Sequence, residues 1–167
     1  MLRGIILKKI AFGFMCLLVL LLAACGTTEE QDHLVNYIND GVKPLAPLEA
    51  EAVRAYEGAT GDNYTDDETL YNKLDKEVIP KYSKLVKKVK AIKVNDPEIK
   101  KIHQIYIDSA EKQYSAFEMF IEALEKQDAE IVTAANKKLA EGKEVMDQYN
   151  KELKALADER KVDLKKK

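Results

Sequence analysis

Apolar residues recur along most of the chain at alternating steps of four and three, the spacing of one face of an α-helix. Leu34, Ile38, Gly41, Leu45, Leu48, Ala52, Ala55 and Ala59 form the first such stripe. Leu70, Leu74, Val78, Tyr82, Leu85, Val89 and Ile92 form the second. The third runs through Ile99, His103, Tyr106, Ala110, Gln113, Phe117, Phe120 and Leu124. The fourth runs through Val132, Ala135, Leu139, Gly142, Met146, Tyr149, Leu153 and Leu156, close to a continuous heptad seam. No stretch competes with a period of two, so the pattern predicts an all-α chain.

Helix ends are marked where the stripes break. Thr28-Glu29-Glu30-Gln31 and Thr65-Asp66-Asp67-Glu68 both fit the capping-box pattern. Asp96-Pro97-Glu98 opens the third helix with an N-cap, a first-turn proline and an acid at the positive dipole end. Asp128 is the expected cap of the fourth, and residues 58–63 end the first with the turn Gly61-Asp62-Asn63. Pro44 and Pro47 predict that the first helix is kinked or split near residues 42–43, and Pro80 falls inside the second. Short loops between four helices of roughly 26 to 32 residues force neighbours antiparallel. The expected fold is an antiparallel up-down-up-down four-helix bundle over residues 31–160, followed by a basic tail, 161–167, that frays after Glu159.

The first residues follow a different pattern. Arg3, Lys8 and Lys9 precede a run from Ile10 to Leu22 without charge, and small residues follow in Leu22-Ala23-Ala24-Cys25-Gly26. Positive, apolar, then small is the layout of a secretory signal peptide. The uncharged stretch continues to Thr28, so an uncleaved anchor spanning a hydrocarbon core of roughly 30 Å is the competing reading. Leu-Ala-Ala-Cys resembles the lipobox of bacterial lipoproteins. That resemblance implies cleavage between Ala24 and Cys25 and lipid attached to Cys25. It divides the chain into a signal peptide, 1–24, a lipidated tether, 25–30, and the helical domain. Two or three acyl chains, at ~0.8 kcal/mol per buried methylene, would anchor it firmly. The remainder is similar in general character to small helical lipoproteins of Gram-positive cells.

Composition adds exclusions. The whole chain has 27 basic and 29 acidic residues; without Arg3, Lys8 and Lys9 the count is 24 against 29, a charge of −5. A domain of that sign has no global electrostatic reason to bind nucleic acid. Cys16 leaves with the signal peptide and Cys25 carries the lipid, so no disulfide is available and packing must supply the stability. His103 has Lys100, not a carboxylate, three residues before it, so the pair of Glu-x-x-His motifs that a di-iron bundle needs is missing even though Glu30 precedes His33, and no zinc spacing occurs. His103 sits on a seam and reads as a partly buried core histidine. Asp62, Asp66, Asp67 and Glu68 are better explained as caps than as a calcium loop. Lys84, Lys87, Lys88, Lys90 and Lys93 read as a solvated helix face.

Counting outward from the expected turns at Asp62, Asn95 and the 127–128 pair sets Pro44 level with Pro80. Gln113 then falls level with Gly142 and with Glu77. The expectation is a mid-bundle polar layer of Glu77, Gln113 and Gly142, with Gln113 bonded to proline-freed carbonyls, water or a ligand. Together these readings predict a membrane-anchored extracytoplasmic lipoprotein that is not an enzyme and needs no cofactor. It would meet the membrane through the lipid on Cys25 and a protein or cell-wall partner through its helices. A small-ligand or metal binder using the mid-bundle layer is the alternative.

Overall fold

A computed structural model of the protein describes residues 28–164. The expected signal peptide, 1–24, the expected cleavage junction between Ala24 and Cys25, and the last three residues of the basic tail lie outside the described residues. What is described is all-α, with no strand. The first rod consists of α1 (Glu29–Asn36), a π-helical turn (Tyr37–Val42), a 3-10 turn (Lys43–Leu45) and α2 (Ala46–Glu57). The second consists of α3 (Asp67–Lys73), a π-helical turn (Leu74–Val78) and α4 (Ile79–Lys90). Two unbroken helices complete the chain, α5 (Pro97–Lys126) and α6 (Ala129–Glu159).

Proline accounts for both interruptions. A proline inside a helix lacks an N–H, and its ring collides with the carbonyl four residues back. Here the residue before each proline bonds five residues back instead: Lys43 N–H to the Ile38 carbonyl before Pro44, and Ile79 N–H to the Leu74 carbonyl before Pro80. The wider π turn carries the obstructing carbonyls past the ring, and the rod continues. The first rod is therefore split where its prolines predicted.

The caps are largely local chemistry. Thr28 and Gln31 form the reciprocal capping box, while Asp96 and Asp128 each accept two first-turn amides. At the second rod the cap is Asp66 rather than Thr65. Asp66 is the last extended residue, and its carboxylate takes the Thr69 amide at 2.7 Å. A carboxylate at the positive end of a helix gains from the dipole as well as from the bond, so it displaces the neighbouring hydroxyl.

The arrangement is bundle-like. α5 and α6 pack along their length, α4 packs on α5, and α2 packs on α4. Leu34, Leu74, Val78, Tyr82, Leu85 and Val89 are completely buried, joined from α5 and α6 by Ile99, Phe117 and Tyr149. Each such side chain contributes about 1.5–3 kcal/mol of burial, and the described residues, which include no cysteine, depend on it. Val132, expected on the seam, is 37% exposed. α2 stops at Glu57, and Val132 borders a groove with Tyr56 and with Thr60, Gly61 and Tyr64 of the connection that follows.

The last helix does not fray where its basic residues begin. Lys161 takes a left-handed conformation, φ 56°, with its amide on the Asp158 carbonyl and the Val162 amide on the Ala157 carbonyl. That is a Schellman closure, and Val162 folds back against the core. The closure turns Arg160 inward, where it is 9% exposed. Its guanidinium donates to Asp96 at 2.8 Å, to Glu98 at 2.6 Å and to the Glu30 carbonyl at 3.0 Å. Gln31 closes the ring by donating to the Arg160 carbonyl at 2.7 Å. One arginine thus ties the start of α1, the start of α5 and the end of α6 together.

Candidate functional site

Two polar assemblies lie within the apolar interior. The first is a chain of hydrogen bonds across three helices. Tyr82 on α4 donates to Gln113 Oε1 at 2.8 Å, Gln113 Nε2 donates to Ser109 at 3.0 Å, and Ser109 donates to the Gly142 carbonyl at 2.8 Å. All four residues are buried. Gln113 and Gly142 therefore meet as the turn counting expected.

Glu77 does not join them. It lies on the outer face of the second rod, paired with Lys73 at 2.5 Å and Lys81 at 3.9 Å. The Lys73 hydrogen bond holds its carboxyl below the usual range. Nor do the proline-freed carbonyls serve Gln113; the Tyr82 and Ser109 hydroxyls do. Tyr82 stood in its stripe as an ordinary core aromatic, and Ser109 lies one helical turn before Gln113 on the same face. That i, i+4 spacing is the signal that could have found it.

The register error has a simple origin. Pro44 is not level with Pro80: it lines a groove with Lys88 and Ile92, and a Cβ on Gly41 would stand 3.1 Å from Ile92. Eight residues of α4, about 12 Å at 1.5 Å per residue, separate Pro80 from Lys88. The connection after Glu57 runs on through a 3-10 turn and an extended segment to Asp66, which moves the fold point beyond Asp62. Residues spent in a loop do not advance along the rod.

The second assembly surrounds His103. The Tyr37 hydroxyl lies 3.2 Å from His103 Nδ1 and 3.3 Å from the Tyr149 hydroxyl, and the Tyr149 and Tyr106 rings stack at 4.9 Å. Tyr106 reaches Glu49 at 3.5 Å, a marginal contact. His103 Nε2 is buried without a hydrogen-bond partner among the described residues. Burial lowers the imidazole's pKa; the Val89 carbonyl opposes that only in part, without reaching hydrogen-bond geometry to Nε2. Burial also pushes the Glu49 carboxyl up. The Tyr37 phenol is pushed up to about 12, and those of Tyr82, Tyr106 and Tyr149 rise further for the same reason. Each of these shifts favours the neutral form of its group, as burial among apolar side chains dictates.

Two grooves open on the surface. One, of about 540 Å³, lies at the Thr28 end between the π turn of the first rod and the α4–α5 connection, and includes Tyr37, Asp40, Lys88 and Asp96. The other, of about 520 Å³, lies at the Gly61 end and includes Tyr56, Leu70, Phe120 and Leu124. Glu77, Gln113 and Gly142 line neither. His33 is half-exposed, 3.8 Å from Glu29 and 4.0 Å from Asp96. Among the described residues no three or more His, Cys, Asp or Glu side chains stand together to hold a metal ion, and of Asp62, Asp66, Asp67 and Glu68 it is Asp66 that caps α3, in place of Thr65. No described helix is long and apolar enough to cross a membrane. Comparison of the chain with known protein families, curated proteins and solved structures finds no match.

Proposed function

We propose that the protein is a lipid-anchored lipoprotein of the extracytoplasmic membrane face. Its helical domain, an antiparallel up-down-up-down four-helix bundle, acts as a non-catalytic interaction module for a protein or cell-envelope partner. The observation that carries this reading is the sequence Leu22-Ala23-Ala24-Cys25 behind a positive, then apolar, segment. Two features of the helical domain support it. Thr28, three residues after Cys25, is already a capped helix start, and the Arg160 clasp ties that start to the remaining helices. A pull on the anchor would therefore be transmitted to the whole domain. The Tyr82–Gln113–Ser109–Gly142 chain bonds interior polar groups of three helices to one another, as suits a scaffold. The small-ligand alternative rested on a mid-bundle pocket, and the Gln113 side chain fills the space beside Gly142.

Growing cells with a labelled fatty acid tests the anchor. The wild-type chain should incorporate label, and Cys25→Ala should lose it and accumulate as the longer precursor. Label retained by Cys25→Ala would overturn the assignment.

A further inference from the structure

We propose that the groove at the Gly61 end docks a cationic peptide segment carrying an apolar side chain. The proposal rests on the interaction-module reading and is independent of the anchor at Cys25. Three observations lead to it. The groove holds about 520 Å³ and is walled by Tyr56, Leu70, Phe120 and Leu124, with Tyr64 and Val132 at its margin. Tyr64 is 48% and Val132 37% exposed; they are two of the three large apolar residues that stand exposed among the described residues. Val132 belongs to the α6 seam, yet beside Tyr56 in the last turn of α2 and residues 60–64 of the following connection it stands exposed, so this is core-type surface left uncovered.

Charge identifies the occupant. Residues 57–71 contain five acidic residues and no base, and residues 118–136 contain five acidic residues and one base, Lys126. Lys126 is already paired with Glu122. Asp66 and Asp128 cap helices, but Glu57, Asp62, Glu68 and Glu130 have no ion-pair partner among the described residues. Asp67 lies in the groove itself. An apolar slot within a negative field attracts a segment that is both cationic and apolar, and repels an anionic lipid surface. The described C-terminal residues are not that segment. Residues 160–164 leave the fold at the opposite end of α6, a 31-residue helix about 46 Å long.

The test uses the full-length chain in non-ionic detergent, with detergent alone as the blank. Fluorescence anisotropy follows labelled peptides of alternating Lys and Leu, of Ser and Leu, and of Lys and Ser. The Lys–Leu peptide should bind, the other two should bind at least about tenfold more weakly, and raising salt from about 50 to about 500 mM should weaken binding by roughly tenfold. Tyr64→Ser with Val132→Ser changes exposed side chains and should leave the helical circular dichroism intact while weakening binding by about tenfold or more. Asp62→Asn with Glu68→Gln and Glu130→Gln should do the same and flatten the salt dependence. Absence of Lys–Leu binding, equal binding of the Ser–Leu peptide, or binding untouched by both variants would overturn the proposal. So would a dimer that Tyr64→Ser with Val132→Ser dissolves, since the groove would then belong to a second copy. Fatty-acid labelling of the same chain reports separately on the anchor, so failure of the groove and failure of the lipoprotein reading are distinguishable.

Discussion

Gly142 and Gln113 are fitted to each other across the α5–α6 contact: a Cβ on Gly142 would stand 2.6 Å from Gln113 Cγ and 3.2 Å from the Gln113 backbone nitrogen. The same glycine supplies the carbonyl that Ser109 bonds. A missing side chain and a buried polar chain thus occupy one level of the fold, and each depends on the close helix approach.

Gly142→Ala should therefore destabilise the protein. Alanine is worth about 0.5–1 kcal/mol over glycine inside a helix. Overpacking costs about 1–3 kcal/mol, and relief requires the α5 backbone to move, not only a side-chain tip. The net expectation is a loss of roughly 1–2 kcal/mol, read as a lower midpoint in urea with the m-value unchanged.

Gln113→Leu should keep the fold but leave the buried Tyr82 hydroxyl without its acceptor, at a cost of about 1–3 kcal/mol. Tyr82→Phe removes the other partner of the same bond. The double variant should lose clearly less than the two single losses added together, because no orphan remains. Additive losses in thermal or urea unfolding would show that this hydrogen bond carries no coupling.

Arg160→Leu removes the guanidinium that faces the buried Asp96 carboxylate. Breaking one side of such a pair costs about 3–5 kcal/mol. Burial pushes the Asp96 carboxyl up, but the Arg160 bond and the capped amides outweigh it and hold it below the usual 3.8. A depressed carboxylate contributes stability that is full above 3.8 and lost as pH falls through its folded value. The variant should be much less stable at neutral pH. The gap to wild type should narrow on acidification below 3.8, followed by urea midpoints at each pH.

His103 gives a dependence in a higher window. Burial depresses its folded pKa below 6.5, so below 6.5 the unfolded chain binds the proton more readily and stability falls as pH decreases. Glu49 works in the opposite sense. Its raised pKa contributes stability that is full below 4.5 and fades as pH rises through its folded value. Stability of His103→Gln should fall less steeply than wild type between pH about 6.5 and 5, and the difference between the two curves isolates the imidazole. Parallel curves would mean that His103 is protonated as easily inside the fold as outside it.

The helices and their ends were legible because the forces that set them act within a turn or two. Four-three spacing of apolar residues, the cap at Thr28, the caps at Asp96 and Asp128, and the interruption before Pro44 all depend on neighbours no more than five residues away. Gln113 and Gly142 could be paired from sequence because α5 and α6 are unbroken and joined by a tight turn, so counting residues measures distance. The Pro44–Pro80 level was misplaced because a nine-residue connection, 58–66, and the π turn at 74–78 intervene, where residue number and axial rise part company; Glu77 lies within that π turn and faces outward to Lys73 and Lys81. Arg160 looked like the start of a solvated tail. Only the meeting of three chain segments at one end supplied the carboxylates and carbonyl that bury it. The Gly61-end groove has the same origin: it forms where α2, the 58–66 connection, α5 and the start of α6 come together, and Val132 stands exposed at its margin. Local pattern determined the elements and their ends, and tertiary structure decided which polar side chains found partners inside and which apolar ones were left outside. Bonding and burial across the fold are set by the relative placement of whole helices, and that placement is not a local property.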